Sequence, residues 1–368
     1  MTAENKIPHI VFPPGETLKD ELDARGWTQK EFAEIIGKPV QAVSEIVNGK
    51  KEITPETALL FSRAFGTSAR FWLNLESSYR LWLENKNKKV RPVEKRAKLF
   101  EFAPVSELRK YGWIPDTREV DTLENSILKL LGIKSLDEIP KCALCTRRSE
   151  FRNPEITPLV FWMKRVEKLI ENQTPGRYTK SGLLNDLPEL LALAGSVSDV
   201  AKVPKFLLNH GIHFALAPHL QRTYLDGAQF WFRNKPVIAL TLRHDRIDSF
   251  WFTLMHEIAH LVSGHRETRI DRNILEKTGN QESDEINANR LASDWLIEPG
   301  LYLSFVESNR PNFRRRMIES FANEIKRHPG IVLGRLQFDG EVPHSSLRKL
   351  LERVRPELNE FFDIPVAA

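Results

Sequence analysis

Two histidines four residues apart with a glutamate between them, His256-Glu257-Ile258-Ala259-His260, form the most chemically specific pattern in the chain. On a helix, residues four apart are turned by only about 40° and stacked one turn apart, so both imidazoles face one point. That is the pairing a tetrahedral Zn²⁺ requires, and Glu257 is placed to take a proton from an attacking water. Random placement of 10 histidines and 49 acids over 368 residues gives below roughly 0.04 such matches per chain. Chance is therefore a poor explanation. The plain alternative is a pair of ordinary helix histidines, because the pattern also occurs in proteins without metal.

A catalytic zinc takes three protein ligands and leaves the fourth position open. His265 lies nine residues beyond His256, about 180° around the same helix, and serves only if that helix breaks at Ser263-Gly264. The spacing also misses the HExxHxxGxxH arrangement. Residues 285–296 offer a second helix, in which Ile286, Asn289, Ala292 and Ser293 give inner rows of small character that let two helices approach. Glu285 is the candidate third ligand there, with Glu282 and Asp284 as rivals. A donor to the developing negative charge is also expected, from Tyr224, His219 or His265.

The elements that must position these groups are legible on either side. Residues 212–216, 230–232 and 237–242 are short β-type runs, separated by turn signals at Asp226-Gly227 and Asn234-Lys235-Pro236. A helix starting near Ser249 follows, with Phe250, Trp251, Phe252, Leu254 and Met255 before the histidine motif and Leu261 and Val262 after it. A small sheet followed at once by a helix is an α+β arrangement. Elsewhere helices dominate, so the fold class is mainly α with a small α+β part. Residues 121–208 show leucines and isoleucines at helical spacing and carry no interpretable motif.

A second chemistry stands at the other end of the chain. Residues 17–89 read as a train of short helices. Thr28 with Glu31 forms a capping box, Gly37 stops that helix, the next runs from about Pro39 to Val47, and Thr54-Pro55 opens another that Gly66 ends. Such short helices must share one core, for which Leu18, Leu22, Phe32, Ile36, Val43, Ile46, Leu59 and Leu60 are the candidates. Residues 28–48 read as a helix-turn-helix. In that geometry Gln41, Ala42, Ser44 and Glu45 of the second helix face base edges. Lys50 and Lys51 hold phosphates, and Gln29 at the start of the first helix meets the backbone. The alternative is a plain helical bundle.

Composition bounds the rest. The 54 Lys and Arg against 49 Asp and Glu give a net charge of +5, which permits a polyanionic partner without demanding one. Residues 86–118, with their bases concentrated at 86–98, read as a hinge between domains, or alternatively as a phosphate-contacting arm. Only Cys142 and Cys145 occur, so no disulfide framework exists, and a lone CxxC is not a zinc ribbon. Residues 1–10 have no apolar run of a secretory signal, and no stretch approaches the ~18 apolar residues of a membrane span. A soluble, cytoplasmic protein with no membrane partner is expected.

Two family resemblances sharpen these readings. Residues 252–261 and 285–289, then Leu296-Ile297-Glu298-Pro299, resemble the ImmA/IrrE family of zinc metallopeptidases. Asn287 stands where that family usually has an acid, Leu291 where it has Phe, and Glu298 is inserted before Pro299. The resemblance implies that His256, His260 and Glu285 bind zinc, that Glu257 is the general base, and that the substrate is a protein regulator. Residues 15–82 are similar to the XRE-type, lambda-repressor-like domain of HigA/VapI antitoxins, through Trp27-Thr28-Gln29, residues 46–50, 53–58 and 71–76. That resemblance implies a homodimer on a palindromic double-stranded DNA operator. Residues 321–322 and 328–337 resemble the region after the peptidase core in long fusions of the two. The expected organisation is a helix-turn-helix domain at 15–85, a basic linker and helical region at 86–205, and a zincin-like peptidase domain at 206–368. The alternative is an antitoxin or autorepressor with a toxin partner, whose peptidase module is inactive or only a sensor.

Overall fold

Punctuation residues cut the N-terminal part of the chain into five helices: α1 (Pro14–Asp23), α2 (Gln29–Ile36), α3 (Val40–Val47), α4 (Pro55–Phe65) and α5 (Ala69–Lys86). The computed structural model describes residues 11–86, 91–141, 156–221, 223–264, 269–270 and 279–363. Cys142, Cys145 and His265 fall outside the described residues, as does the side chain of Glu282. The chain divides into two units, Met1–Lys98 and Leu99–Ala368.

In the first unit the capping box forms: the Glu31 amide donates to Thr28 Oγ1 at 3.2 Å, and the Thr28 amide donates to the Glu31 carboxylate at 2.8 Å. Gly37 ends α2 in the left-handed region. Leu18, Leu22, Phe32, Ile36, Val43 and Ile46 are buried as expected. Leu59 is not: it is 55% exposed, and Leu60 is only half-buried. α4 is phased instead to turn Ala58, Phe61 and Phe65 inward, with Phe65 4.7 Å from Phe32 and Phe61 5.1 Å from Trp72. Aromatic rings bury more area than leucine, which sets the phase.

α6 (Arg91–Phe102) runs across the boundary and its Leu99 joins the core of the second unit, where α7 (Val105–Lys110), α8 (Val120–Leu131) and α9 (Thr157–Ile170) follow. Three short helices, α10 (Lys180–Asn185), α11 (Leu187–Ala192) and α12 (Val203–Asn209), lead into the sheet. Its strands are β1 (His213–Leu216), β2 (Gly227–Phe232), β3 (Lys235–Leu240) and the two-residue β4 (Arg269–Ile270), in the order β1-β3-β2-β4. β1 runs parallel to β3, whereas β2 and β3 form a hairpin. The hairpin turn is Arg233-Asn234, both at positive φ, so Lys235 and Pro236 belong to β3 rather than to the turn.

Both faces of this sheet are covered, so its strands read as nearly continuous apolar runs. Ala228, Phe230, Val237 and Ala239 face Leu123 and Ile127 of α8 and Phe161 and Trp162 of α9. Phe214, Leu216, Ile238 and Leu240 face α13 (Ile247–Val262) through Phe250, Trp251, Leu254 and Ile258. α13 packs most extensively on α14 (Gly279–Leu296); α15 (Pro299–Asn309), α16 (Arg315–Glu324) and α17 (Pro329–Phe338) complete the layer. No helix among the described residues is long and apolar enough to cross a membrane.

Candidate functional site

α13 begins at Ile247, two residues before the expected Ser249, with Asp248 in its first turn ion-paired to Arg246 at 2.6 Å. Sheet and helices enclose it, so His256, Glu257 and His260 are all at most 2% exposed. His256 Nε2 and His260 Nε2 stand 3.0 Å apart. Glu285 of α14 brings Oε2 to 3.4 Å from His256 Nε2 and Oε1 to 3.4 Å from His260 Nε2. Ligand bonds of about 2.0–2.2 Å at tetrahedral angles put donor atoms roughly 3.3–3.5 Å apart, so the three groups fit one ion with little movement. Two imidazoles and a carboxylate also match the donor set of a catalytic zinc with an open position.

Among the described residues these three form the only group of three or more His, Cys, Asp or Glu with mutually close ligand atoms; Asp284 is not part of it. Burial raises the Glu285 carboxyl, but hydrogen bonds and charge from His256 and His260 outweigh it and hold the group well below the usual carboxylate range. α14 is phased differently from expectation. Ile286 is 63% exposed, and the row facing α13 is Glu285, Ala288 and Ala292. Asn289 lies at the exposed edge yet its Oδ1 accepts from His256 Nδ1 at 2.9 Å, which turns Nε2 toward the other two groups. Residue type alone carried no signal for that role.

Two residues of β2 were likewise not singled out. Gly227, expected in a turn, begins the strand beneath α13. A Cβ there would lie 2.8 Å from Glu257 Oε1 and 2.7 Å from Thr253 Cγ2. The glycine thus lets the Glu257 carboxylate sit against the sheet, with both oxygens buried. Gly227→Ala is expected to destabilise the protein by about 1–3 kcal/mol through overpacking, read as a lowered urea midpoint; an unchanged midpoint would show that the contact is slack. Gln229, next on the same strand face, is fully buried, and its carboxamide makes no hydrogen bond among the described residues.

A cavity of about 260 Å³ lies between the start of α13, the end of α14 and α17, lined by Phe252, Ser293, Leu296, Ile331 and Phe338. The Phe252 ring lies 6.2 Å from that of His256. Neither Tyr224 nor His219 lines this cavity. Tyr224 lies under the Arg243 guanidinium, and the His219 carbonyl accepts from Tyr111.

In the first unit, Val43 and Ile46 anchor α3 in the core, which turns Gln41, Ala42, Ser44 and Glu45 outward together. Gln41 Nε2 donates to Glu45 Oε1 at 3.1 Å, and Lys51 lies 4.0 Å from the same carboxylate. Lys50 and Lys51 are exposed in the loop after α3, and Gln29 is half-buried at the first position of α2.

Comparison with known proteins matches two separate segments of the chain. A family model described as helix-turn-helix matches residues 18–72, and one described as an IrrE N-terminal-like domain matches residues 209–311. Virulence-associated protein A of Dichelobacter nodosus is 40% identical over 98 residues, covering 26% of this chain and 92% of that protein. The uncharacterized HTH-type transcriptional regulator YddM of Escherichia coli is 32% identical over 68 residues, 18% of this chain and 72% of its own length. Among solved structures, an addiction module antidote protein of a HigA family from Coxiella burnetii is 34% identical. It covers 22% of this chain and 91% of its own, at a TM-score of 0.21.

Proposed function

Because the chain belongs to the XRE-type helix-turn-helix regulators through its N-terminal domain and carries an IrrE-like domain in its C-terminal half, we propose that it is a DNA-binding transcriptional regulator with a zinc-dependent endopeptidase module acting on a protein regulator. The observation that carries the enzymatic part is the meeting of His256 Nε2, His260 Nε2 and the Glu285 carboxylate beside Glu257. His256, His260 and Glu285 would hold a zinc ion, which would supply Lewis-acid chemistry toward an amide carbonyl and an attacking water. Glu257 would take a proton from the attacking water on a carboxylate oxygen and return it to the leaving amine nitrogen. Asn289 fixes the His256 ring, and the cavity beside Phe252 receives an apolar side chain. Asn289→Ala is expected to weaken zinc binding about 10–100-fold, measured by competition with a chromophoric chelator.

The substrate is tested by comparing protein N-termini in cells producing the wild-type chain and Glu257→Gln. New termini in a DNA-binding regulator, seen only with the wild type, support this reading; identical sets of termini refute it. For the DNA-binding part, a homodimer on a palindromic operator is tested by mobility shift on DNA upstream of the chain's own gene. Gln41→Ala with Lys50→Ala is expected to weaken binding at least about tenfold and to reduce the salt dependence by about one phosphate contact. Binding that survives both changes would displace α3 as the reading helix. A second reading, an autorepressing antitoxin whose C-terminal module binds metal without cleaving, is favoured by relatives such as virulence-associated protein A, which consist of little more than the N-terminal segment. Stoichiometric zinc with no Glu257-dependent cleavage would select it.

A further inference from the structure

Away from the histidine cluster, the ends of β1 and β3 open onto a basic cleft of about 950 Å³. β1 and β3 are parallel neighbours, so their carboxyl ends lie on one side of the sheet, where crevices of α/β folds bind ligands. The cleft is lined by six permanent cations, Lys110, Arg243, Arg246, Arg348, Arg353 and Arg355, against one carboxylate, Asp245. Asp245 Oδ1 already accepts the backbone amides of Val354 and Arg355 at 3.0 and 2.9 Å. Arg243 and Arg246 have acidic partners, Asp226 at 3.7 Å and Asp248 at 2.6 Å. The other four cations form no ion pair among the described residues.

Four uncompensated cations converging on one concavity repel one another, and an anion that bridges them removes the repulsion. Guanidinium groups match the oxygens of phosphate in paired hydrogen bonds, so several arginines select phosphoryl groups. Burial, together with the charges of Arg243, His244 and Lys110, holds the His219 imidazole at the cleft wall below its ordinary value, against the pull of Asp226. This hollow has the size of a small-molecule site; a surface that reads duplex DNA instead projects a helix or ribbon into a groove. The geometry points to a binding site in this cleft for a small molecule bearing two or more phosphoryl charges, such as a nucleoside diphosphate or triphosphate. Arg246 is shared between the cleft and the cavity beside Phe252, so an occupant would reach the start of the helix that carries His256 and His260.

Titration calorimetry of the full chain with pyrophosphate and with ATP at physiological salt tests the site. One-to-one binding with a Kd of about 100 µM or tighter is expected. Arg348→Gln together with Arg353→Gln should weaken it at least about tenfold; both side chains are exposed, so the core is left intact. Lys50→Ala with Lys51→Ala should leave it unchanged. Absence of binding, equal binding of citrate, or binding insensitive to the arginine pair would overturn the proposal. So would binding of pyrophosphate that requires Glu285 instead of the arginines, or an arginine pair that affects only duplex DNA.

Discussion

Glu257→Gln is expected to lower cleavage of the regulator substrate by about 10²–10⁴-fold while leaving the zinc content at one per chain. Glutamine has the shape of glutamate but cannot accept and release a proton near neutral pH, and residue 257 donates no atom to the group formed by His256, His260 and Glu285. The position is tightly bounded. Its oxygens are buried, and the sheet meets them at the one β2 residue without a Cβ, Gly227. An amide therefore occupies the same volume, and the chemistry alone is lost. Cleavage is read on the purified chain with its substrate, and metal by elemental analysis of the same sample. A variant that still cleaves at the wild-type rate would remove Glu257 from the reaction.

Glu285→Ala acts on the other half of the centre. It leaves two buried imidazoles 3.0 Å apart with no carboxylate between the helices, so stoichiometric zinc should be lost. Zinc that binds only the folded chain stabilises it by roughly 4 kcal/mol at a thousandfold excess over its Kd. A strong chelator should therefore lower the unfolding temperature of the wild-type chain and leave that of Glu285→Ala unchanged. His256→Ala should behave in the same way. Equal chelator sensitivity in wild type and both variants would place the stabilising metal elsewhere.

The parts of this centre that depend on local spacing were readable from the amino-acid sequence. Four-residue periodicity puts His256 and His260 on one face whatever surrounds the helix, and the buried apolar residues beside them place that helix against a sheet. In the N-terminal domain, Thr28, Glu31, Gly37, Thr54 and Pro55 act on their own backbone and mark helix ends without help from tertiary contacts. What depends on neighbours distant in sequence was not readable. The phase of α14 is set by the face it presents to α13, so Ile286 turned outward although its type suggested the core. Leu59 did the same because Phe61 and Phe65 dominate α4. Asn289 acquires its role only through a hydrogen bond across 33 positions, and Gly227 only through a close approach across 30. The outer cover of the sheet by α8 and α9 rests on leucine and aromatic rows that fit many partners equally well.

X-ray absorption spectroscopy of the zinc-loaded full chain tests the central claim most directly, because it reads the atoms around the ion rather than their consequences. Two imidazole nitrogens and carboxylate oxygen at about 2.0–2.2 Å are expected in the wild type, and that shell should be absent from any zinc that His256→Ala or His260→Ala retains. A shell containing sulfur, a shell of oxygens alone, or imidazole signals unchanged in either histidine variant would contradict a single ion held between α13 and α14.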